Sequence, residues 1–333
     1  MKFNAFDYIS PSIDDVKKLL FPFSLGKWMK LGFVSLLAYS GGNSGFNTPK
    51  ANFGGSNSSS MSRSMNDITG DAIKGTKDSL GILYYIVFPI ILLFIIFGFI
   101  MTYVTSVFSF IFIESLVKKE VLIKKSWQNC KSMGFSFFLF RVVIGLMVLG
   151  AIVLALLPLI IPLVQQGVTA YFENFSIWNI AWIIPIFILL ILFIIIISIF
   201  TTLVYNFSMI HMYYKKIPAW ASIKSTFSKM SKAKLPVFIF LLANFVISIA
   251  SVFFAVILFL ILLIPMLIIA IPFTLIFVWL IITFGWTTSI IVGMVIVSIL
   301  FLIFLIYVFS VIFLPMTTFS RYFSIRNYKE LMK

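Results

Sequence analysis

From Leu235 to Ser320 the chain carries no charged residue, an uninterrupted run of 86 positions. Such a run cannot form a water-facing surface, which needs charged and polar side chains to cover it. It is also far longer than the roughly 20 apolar residues that cross a hydrocarbon core about 30 Å thick. This stretch alone therefore demands a membrane and more than one crossing. The rest of the chain repeats the pattern: residues 80–113 and 183–210 carry no charge, and residues 135–164 carry only Arg141. Overall, 62% of the 333 residues are apolar and 11% charged, against about 45–50% and about 25% in an average soluble domain. That balance excludes a disordered chain and a secreted globular enzyme, and the single cysteine, Cys130, excludes a disulfide scaffold.

The expected fold class is all-α: a polytopic membrane helix bundle forming one integral membrane domain over residues 1–333. The main spans are read at 80–113, 135–164, 183–210, 235–262 and 286–314, and residues 28–45 form a shorter first span. Residues 10–24 have apolar positions Ile13, Val16, Leu19, Leu20 and Phe23 at helical spacing. They predict an amphipathic interfacial helix, with Ser10 or Ser12 as its cap. Residues 41–79 are rich in Gly, Ser and Asn and read as a flexible loop. Tyr171, Phe172, Phe175, Trp178 and Trp182 suggest an interfacial aromatic belt. The piece around Pro265 and Pro272 is expected as a re-entrant or interfacial segment, or as the extension of a broken helix. The opening MKFNAFDYIS has no apolar core, so no cleaved signal peptide is expected.

The net charge of +15 is unevenly placed. Lysines concentrate at 114–134, at 211–234 and in the C-terminal RYFSIRNYKELMK. In a soluble protein this excess would raise nucleic acid as a partner; here it is the positive-inside pattern, and no nucleic acid is expected. All three basic segments are placed at the cytoplasmic face of the plasma membrane, with both termini inside. An even number of crossings then separates residues 234 and 321, and two fit better than three. Lys118, Lys119, Lys124, Lys125, Lys215, Lys216, Lys224 and Lys229 are the candidate contacts to anionic headgroups, each worth about 1 kcal/mol near a charged surface.

The two internal basic segments align at an offset of 100 positions. IKKSWQNCKSMGFSFFLF begins at Ile123 and IKSTFSKMSKAKLPVFIF at Ile223, with Ser126–Trp127 matching Thr226–Phe227 and Phe138 and Phe140 matching Phe238 and Phe240. Upstream, Glu114 precedes Lys118–Lys119 as His211 precedes Lys215–Lys216, and SIDDVKKLLFPF…KWMKLGF is a looser third copy. Three two-helix units of this kind predict about six spans. Each unit would open with a basic interfacial helix, Ile123, Trp127 and Cys130 lining one apolar face and Trp220, Ile223, Phe227 and Met230 the other.

The sequence IDDVKKLLFPFSLGKWMKLGFVSLLA, followed by a Gly/Ser-rich loop, resembles the N-terminus of uncharacterised archaeal and bacterial integral membrane proteins. The later K-K…IKKSW…F-F-L-F units are similar to those of the superfamily containing the membrane domain of glycerophosphodiester phosphodiesterases. The resemblance implies a six-helix bundle. It implies no catalysis, because in those enzymes the chemistry belongs to a separate soluble barrel domain.

A search for chemistry finds little. The ten acids are scattered and His211 is the one histidine, so no metal cluster, catalytic set or cofactor site is expected. No phosphate-binding loop, G-x-S-x-G elbow or H-E-x-x-H occurs, and the chain is expected not to be an enzyme. Intramembrane polar groups are the remaining candidates. Arg141 either snorkels to the interface or pairs with Glu114. His211, Asn206 and Asn244 are polar residues at or within spans, with helix–helix hydrogen bonding as their ordinary role. The expected role is a non-enzymatic membrane-organising or accessory protein with membrane-protein partners. The alternative is a small-molecule or ion transporter or channel with a polar path near Arg141, Glu114 and His211.

Overall fold

The computed structural model describes residues 4–39, 77–166, 177–285 and 287–332. Every regular element among them is helical. A 3₁₀ turn over Ala5–Tyr8 leads into α1 (Ile9–Leu20), followed by α2 (Leu25–Tyr39), α3 (Lys77–Lys118) and α4 (Ile123–Gln166). Then come α5 (Ile177–Leu203), a π-helical turn (Val204–Ser208), α6 (Met209–Lys215) and α7 (Ala219–Met230). The chain closes with α8 (Lys234–Phe284), α9 (Thr288–Ile312) and α10 (Leu314–Leu331). Among the described residues, five helical stretches are long and apolar enough to cross a membrane: Val87–Lys118, Ile123–Pro158, Ile183–Lys215, Lys234–Phe284 and Thr288–Ile312.

These helices form antiparallel hairpins. α3 turns back at Lys119, whose φ of 58° reverses the chain, and Tyr103 then meets Phe138 while Phe110 meets Phe137, each pair with ring centroids 5.8 Å apart. α8 and α9 pair through Phe259 with Phe309 at 6.0 Å and Phe273 with Phe301 at 5.7 Å. Their turn is made by Gly285, whose φ of 71° suits a residue without Cβ. Residues 263–284 thus continue α8 unbroken; they form neither a re-entrant segment nor a break at Pro265 or Pro272. In an apolar medium each backbone group must find its partner within the helix, so a helix carries on through an isolated proline.

The core lies at one end. Buried side chains concentrate in Thr105–Leu116, at Ser126, Cys130, Phe137 and Arg141, in Thr202–Met212, in the first turns of α8, and along α10. Beyond that packed end the helices expose Leu, Ile and Phe over most of their length. Water would penalise such surface heavily, whereas lipid tails are as apolar as the side chains themselves. The three basic segments all sit at the packed end, because α3 and α5 end there, α4 and α8 start there, and α9 returns there into α10.

α2 differs from expectation. It is 15 residues long, about 22 Å by helical rise, and is not among the five membrane-length helices. It lies between α3 and α9, where Ser109 Oγ donates to the Ala38 carbonyl at 3.0 Å and Ser310 Oγ to the Gly32 carbonyl at 2.9 Å. Phe33 faces Phe108 and Tyr39 faces Phe112, so α2 runs in the same direction as α3, toward the packed end. Residues 40–45 of the expected first span, and the Gly/Ser-rich loop up to residue 76, lie outside the described residues. So do the side chains of the expected aromatic belt.

The amphipathic helices also face differently. α1 buries Val16, Leu19 and Leu20 but leaves Ile13 exposed, and Phe23 beyond its end is exposed too. No serine caps its start: Tyr8 is the N-cap and makes no side-chain cap bond, Ser12 Oγ instead donates to the Tyr8 carbonyl at 2.6 Å, and Asn4 Oδ1 caps the preceding 3₁₀ turn by accepting from the Phe6 amide at 3.3 Å. In α7, Ile223, Phe227 and Met230 pack into the core while Trp220 is 75% exposed. The corresponding segment at Ile123 is not a separate helix; it is the opening of α4, and Cys130 is buried. Both segments turn their apolar faces to protein because α3, α10 and the π turn offer apolar surface at the same level.

Two glycines mark the closest backbone approaches. A Cβ on Gly134 would lie 2.8 Å from Val107 Cα, and one on Gly32 would lie 3.2 Å from Val311 Cα. Gly134→Ala is expected to lower stability by about 1–3 kcal/mol, since the backbone of α3 must move. Gly98→Ala, which meets nothing within 4 Å, is expected to cost nothing and to gain up to about 1 kcal/mol in helix propensity. Thermal unfolding midpoints in detergent separate the two.

Candidate functional site

The polar groups of the packed end divide into two clusters, set by the register of the α3–α4 hairpin. Near the turn, Glu114 forms an ion pair with Lys118 one helical turn on. Its other carboxylate oxygen accepts from Cys130 Sγ at 3.3 Å. Farther from the turn, Arg141 Nη1 donates to Ser106 Oγ at 3.4 Å, and its guanidinium lies 5.2 Å from the Phe137 ring centroid. The expected Arg141–Glu114 pair therefore does not form. Ser106 and Glu114 are eight residues apart on α3, about 12 Å along the axis, so the residue opposite Arg141 is the serine. Arg141 is 6% exposed, its side chain enclosed by protein.

The second cluster centres on the π turn. A π turn shifts the backbone ladder by one residue and leaves carbonyls short of their usual donors. Two side chains answer this. Ser222 Oγ donates to the Ser208 carbonyl at 2.7 Å, and Arg321 Nη1 donates to the Tyr205 carbonyl at 3.0 Å. The Arg321 guanidinium also stacks 3.7 Å from the Tyr205 ring centroid and 5.9 Å from that of Tyr39. Arg321 is 1% exposed. Both partners are cation–π surfaces, which lessens the cost of burying a charge without replacing a counter-ion.

α10 carries the remaining contacts. Ser324 Oγ donates to Asn206 Oδ1 at 2.9 Å, and the Tyr322 hydroxyl to the Leu116 carbonyl at 2.9 Å. The Tyr328 hydroxyl is 2.7 Å from His211 Nδ1, and its ring stacks on Tyr214. Arg326 Nε pairs with Asp15 Oδ2 at 2.7 Å, fastening α1 to α10. Asn244 is buried on α8, and its backbone carbonyl accepts from Ser248 Oγ at 2.7 Å. Of the intramembrane candidates, Arg141 lies near Tyr205 at the π turn, which also holds Asn206, His211 sits one helix further on, and Glu114 and Asn244 are elsewhere. The lysines at 118, 119, 124, 125, 215, 216, 224 and 229 are all exposed, and Lys229 Nζ reaches the Met332 carbonyl at 2.8 Å. Among the described residues no group of three or more metal-ligating side chains gathers.

Sequence reasoning missed Arg321 and α10 as a whole. TTFSRYFSIRNYKEL reads as a basic tail, yet most of it is buried. A signal was present in the spacing of Thr317, Ser320, Arg321, Ser324 and Asn327, a polar helical stripe with an arginine at its centre.

Burial beside Tyr214 pushes the Tyr328 hydroxyl up from 10.0 to about 12. The neutral phenol is thus favoured in the folded chain. Its stabilising contribution is full below about pH 10 and is lost as pH rises through about 12. Unfolding midpoints measured across that window are expected to fall, and Tyr328→Phe is expected to flatten the fall.

The chain matches a family of unknown function (DUF7544) over residues 3–330 and belongs to it. No curated protein and no solved structure matches it.

Proposed function

We propose that this protein is a non-enzymatic membrane-organising or accessory protein of the plasma membrane, seated with its packed end against anionic lipid on the cytoplasmic face. The single observation that carries this reading is the split between a well-packed, lysine-ringed end and long helices whose apolar faces meet little protein. Lysines at the packed end lie where headgroup phosphates would be, and each adds a small, salt-screened attraction. The bare helix faces offer surface to lipid or to other membrane helices, which associate by close packing rather than by a hydrophobic drive. Both described termini lie at this same end, so a cytoplasmic packed end places both inside.

Single cysteines at Lys124→Cys and Lys229→Cys in a chain with Cys130→Ser are expected to react with an impermeant thiol reagent only from the cytoplasmic side. Labelling from outside would invert the orientation. In proteoliposomes the protein is expected to pass no ions or small solutes. A flux that Arg141→Ala abolishes would replace the accessory role by a transporter or channel.

A further inference from the structure

The turn between α1 and α2 is apolar and uncovered. Phe21, Phe23 and Leu25 are 62%, 60% and 63% exposed. The charge around them has one sign. Lys17 and Lys18 are exposed on the α1 arm and Lys30 on the α2 arm, and no acidic residue occurs between Val16 and Tyr39. Water disfavours three large apolar side chains grouped at one tip, and such a patch marks a surface made for an apolar partner.

The tip stands away from the packed end. α1 is fastened to the core through Asp15 and Arg326. α2 runs toward the packed end, so its first residue, Leu25, is its most distant. One turn on, the Met29 carbonyl accepts from the Tyr307 hydroxyl at 3.0 Å. Tyr307 lies inside the membrane-length helix α9, five residues before its end at Ile312. By helical rise Leu25 is thus about 13 Å above the end of α9, a depth within one leaflet of a hydrocarbon core about 30 Å thick.

The backbone of the turn is closed off as well. The last carbonyls of a helix lack donors from the helix itself and are commonly left to water. Here Lys27 Nζ donates to the Leu19 carbonyl at 2.8 Å and Trp28 Nε1 to the Leu20 carbonyl at 3.1 Å. The Trp28 ring also packs on Phe23, with centroids 5.2 Å apart. A turn whose acceptors are satisfied from its opposite arm can enter hydrocarbon, where an unsatisfied carbonyl is costly.

We infer that Phe21–Leu25 is a wedge inserted among the acyl chains of the leaflet at the packed end, with Lys17, Lys18 and Lys30 as its collar at anionic headgroups. This rests on the reading that the packed end lies against anionic lipid. It adds that an apolar tip, and not the stripe of α1, which faces protein, enters the bilayer. A tip that enters one leaflet without crossing displaces headgroups on that side alone, a physical means of organising lipid.

The test uses the full chain with Cys130→Ser in proteoliposomes of phosphatidylcholine and phosphatidylglycerol. Phe21→Cys, Phe23→Cys and Leu25→Cys, all at exposed positions, each carry a nitroxide label. Its collisions with oxygen, which concentrates in hydrocarbon, are compared with those of a water-soluble nickel chelate. At all three positions the ratio of oxygen to nickel collisions is expected to exceed that at Lys18→Cys and Lys30→Cys several-fold. Nickel collisions as frequent at the tip as at Lys18→Cys put the tip in water and overturn the inference. Few collisions with either reagent put protein over the tip, a second copy included, and overturn it too. Sidedness is read separately from Lys124→Cys. Labelling of that position from outside, with a dry tip, reverses the orientation and keeps the wedge in the other leaflet. A wet tip with Lys124→Cys labelled from inside keeps the orientation and removes the wedge. If one tip variant does not fold, the other two decide by the same criteria.

Discussion

Much of the packed end depends on the burial of Arg321 against Tyr205. One guanidinium both satisfies a carbonyl of the π turn and covers an aromatic ring. To do so it must bring α10 into the centre of the bundle. Once there, α10 places Ser324 on Asn206, Tyr322 on the end of α3 and Tyr328 on His211. Its outer side then carries Arg326 to Asp15 and holds α1 in place. The π turn and the arginine explain each other, since neither the irregular backbone nor the buried charge is stable without a partner.

The rest of the architecture follows from the absence of a comparable drive elsewhere. Apolar helices in lipid gain nothing by hiding Leu from an equally apolar solvent. They pack closely only where small residues or rings interlock, as at Gly134 against Val107, Gly32 against Val311 and the phenylalanine pairs of α8 and α9. The well-packed domain is therefore confined to one end, where polar groups give neighbouring helices reasons to meet. A helix of 51 residues, α8, belongs to both regimes: its first turns lie within the core and the remainder is bare.

The legible parts were those that depend on composition along the chain. The apolar runs and the basic segments can be read from where charges stop and start, whereas the place where α8 reverses into α9, inside a run with no charge, could not. The polar pairings could not, because they depend on register across helices. Arg141 and Glu114 look like natural partners at a common depth, yet the hairpin turn at Lys119 sets Arg141 opposite Ser106 and Glu114 opposite Cys130. The amphipathic faces of α1 and α7 were visible as stripes, but a stripe does not say whether it meets lipid or protein. Ile223 and Met230 went to protein and Trp220 did not.

By itself the sequence determined that this chain carries several apolar runs long enough for a membrane and that its positive charge gathers in the segments between them. Those are properties of consecutive residues, and hydrophobic length and charge act locally. Only the tertiary structure decided that the end bearing the basic segments is the packed one, that the C-terminal helix is core rather than tail, and that two arginines converge on Tyr205. Residues 141, 205 and 321 are far apart along the chain, and what joins them is the register of packed helices, which no local pattern encodes.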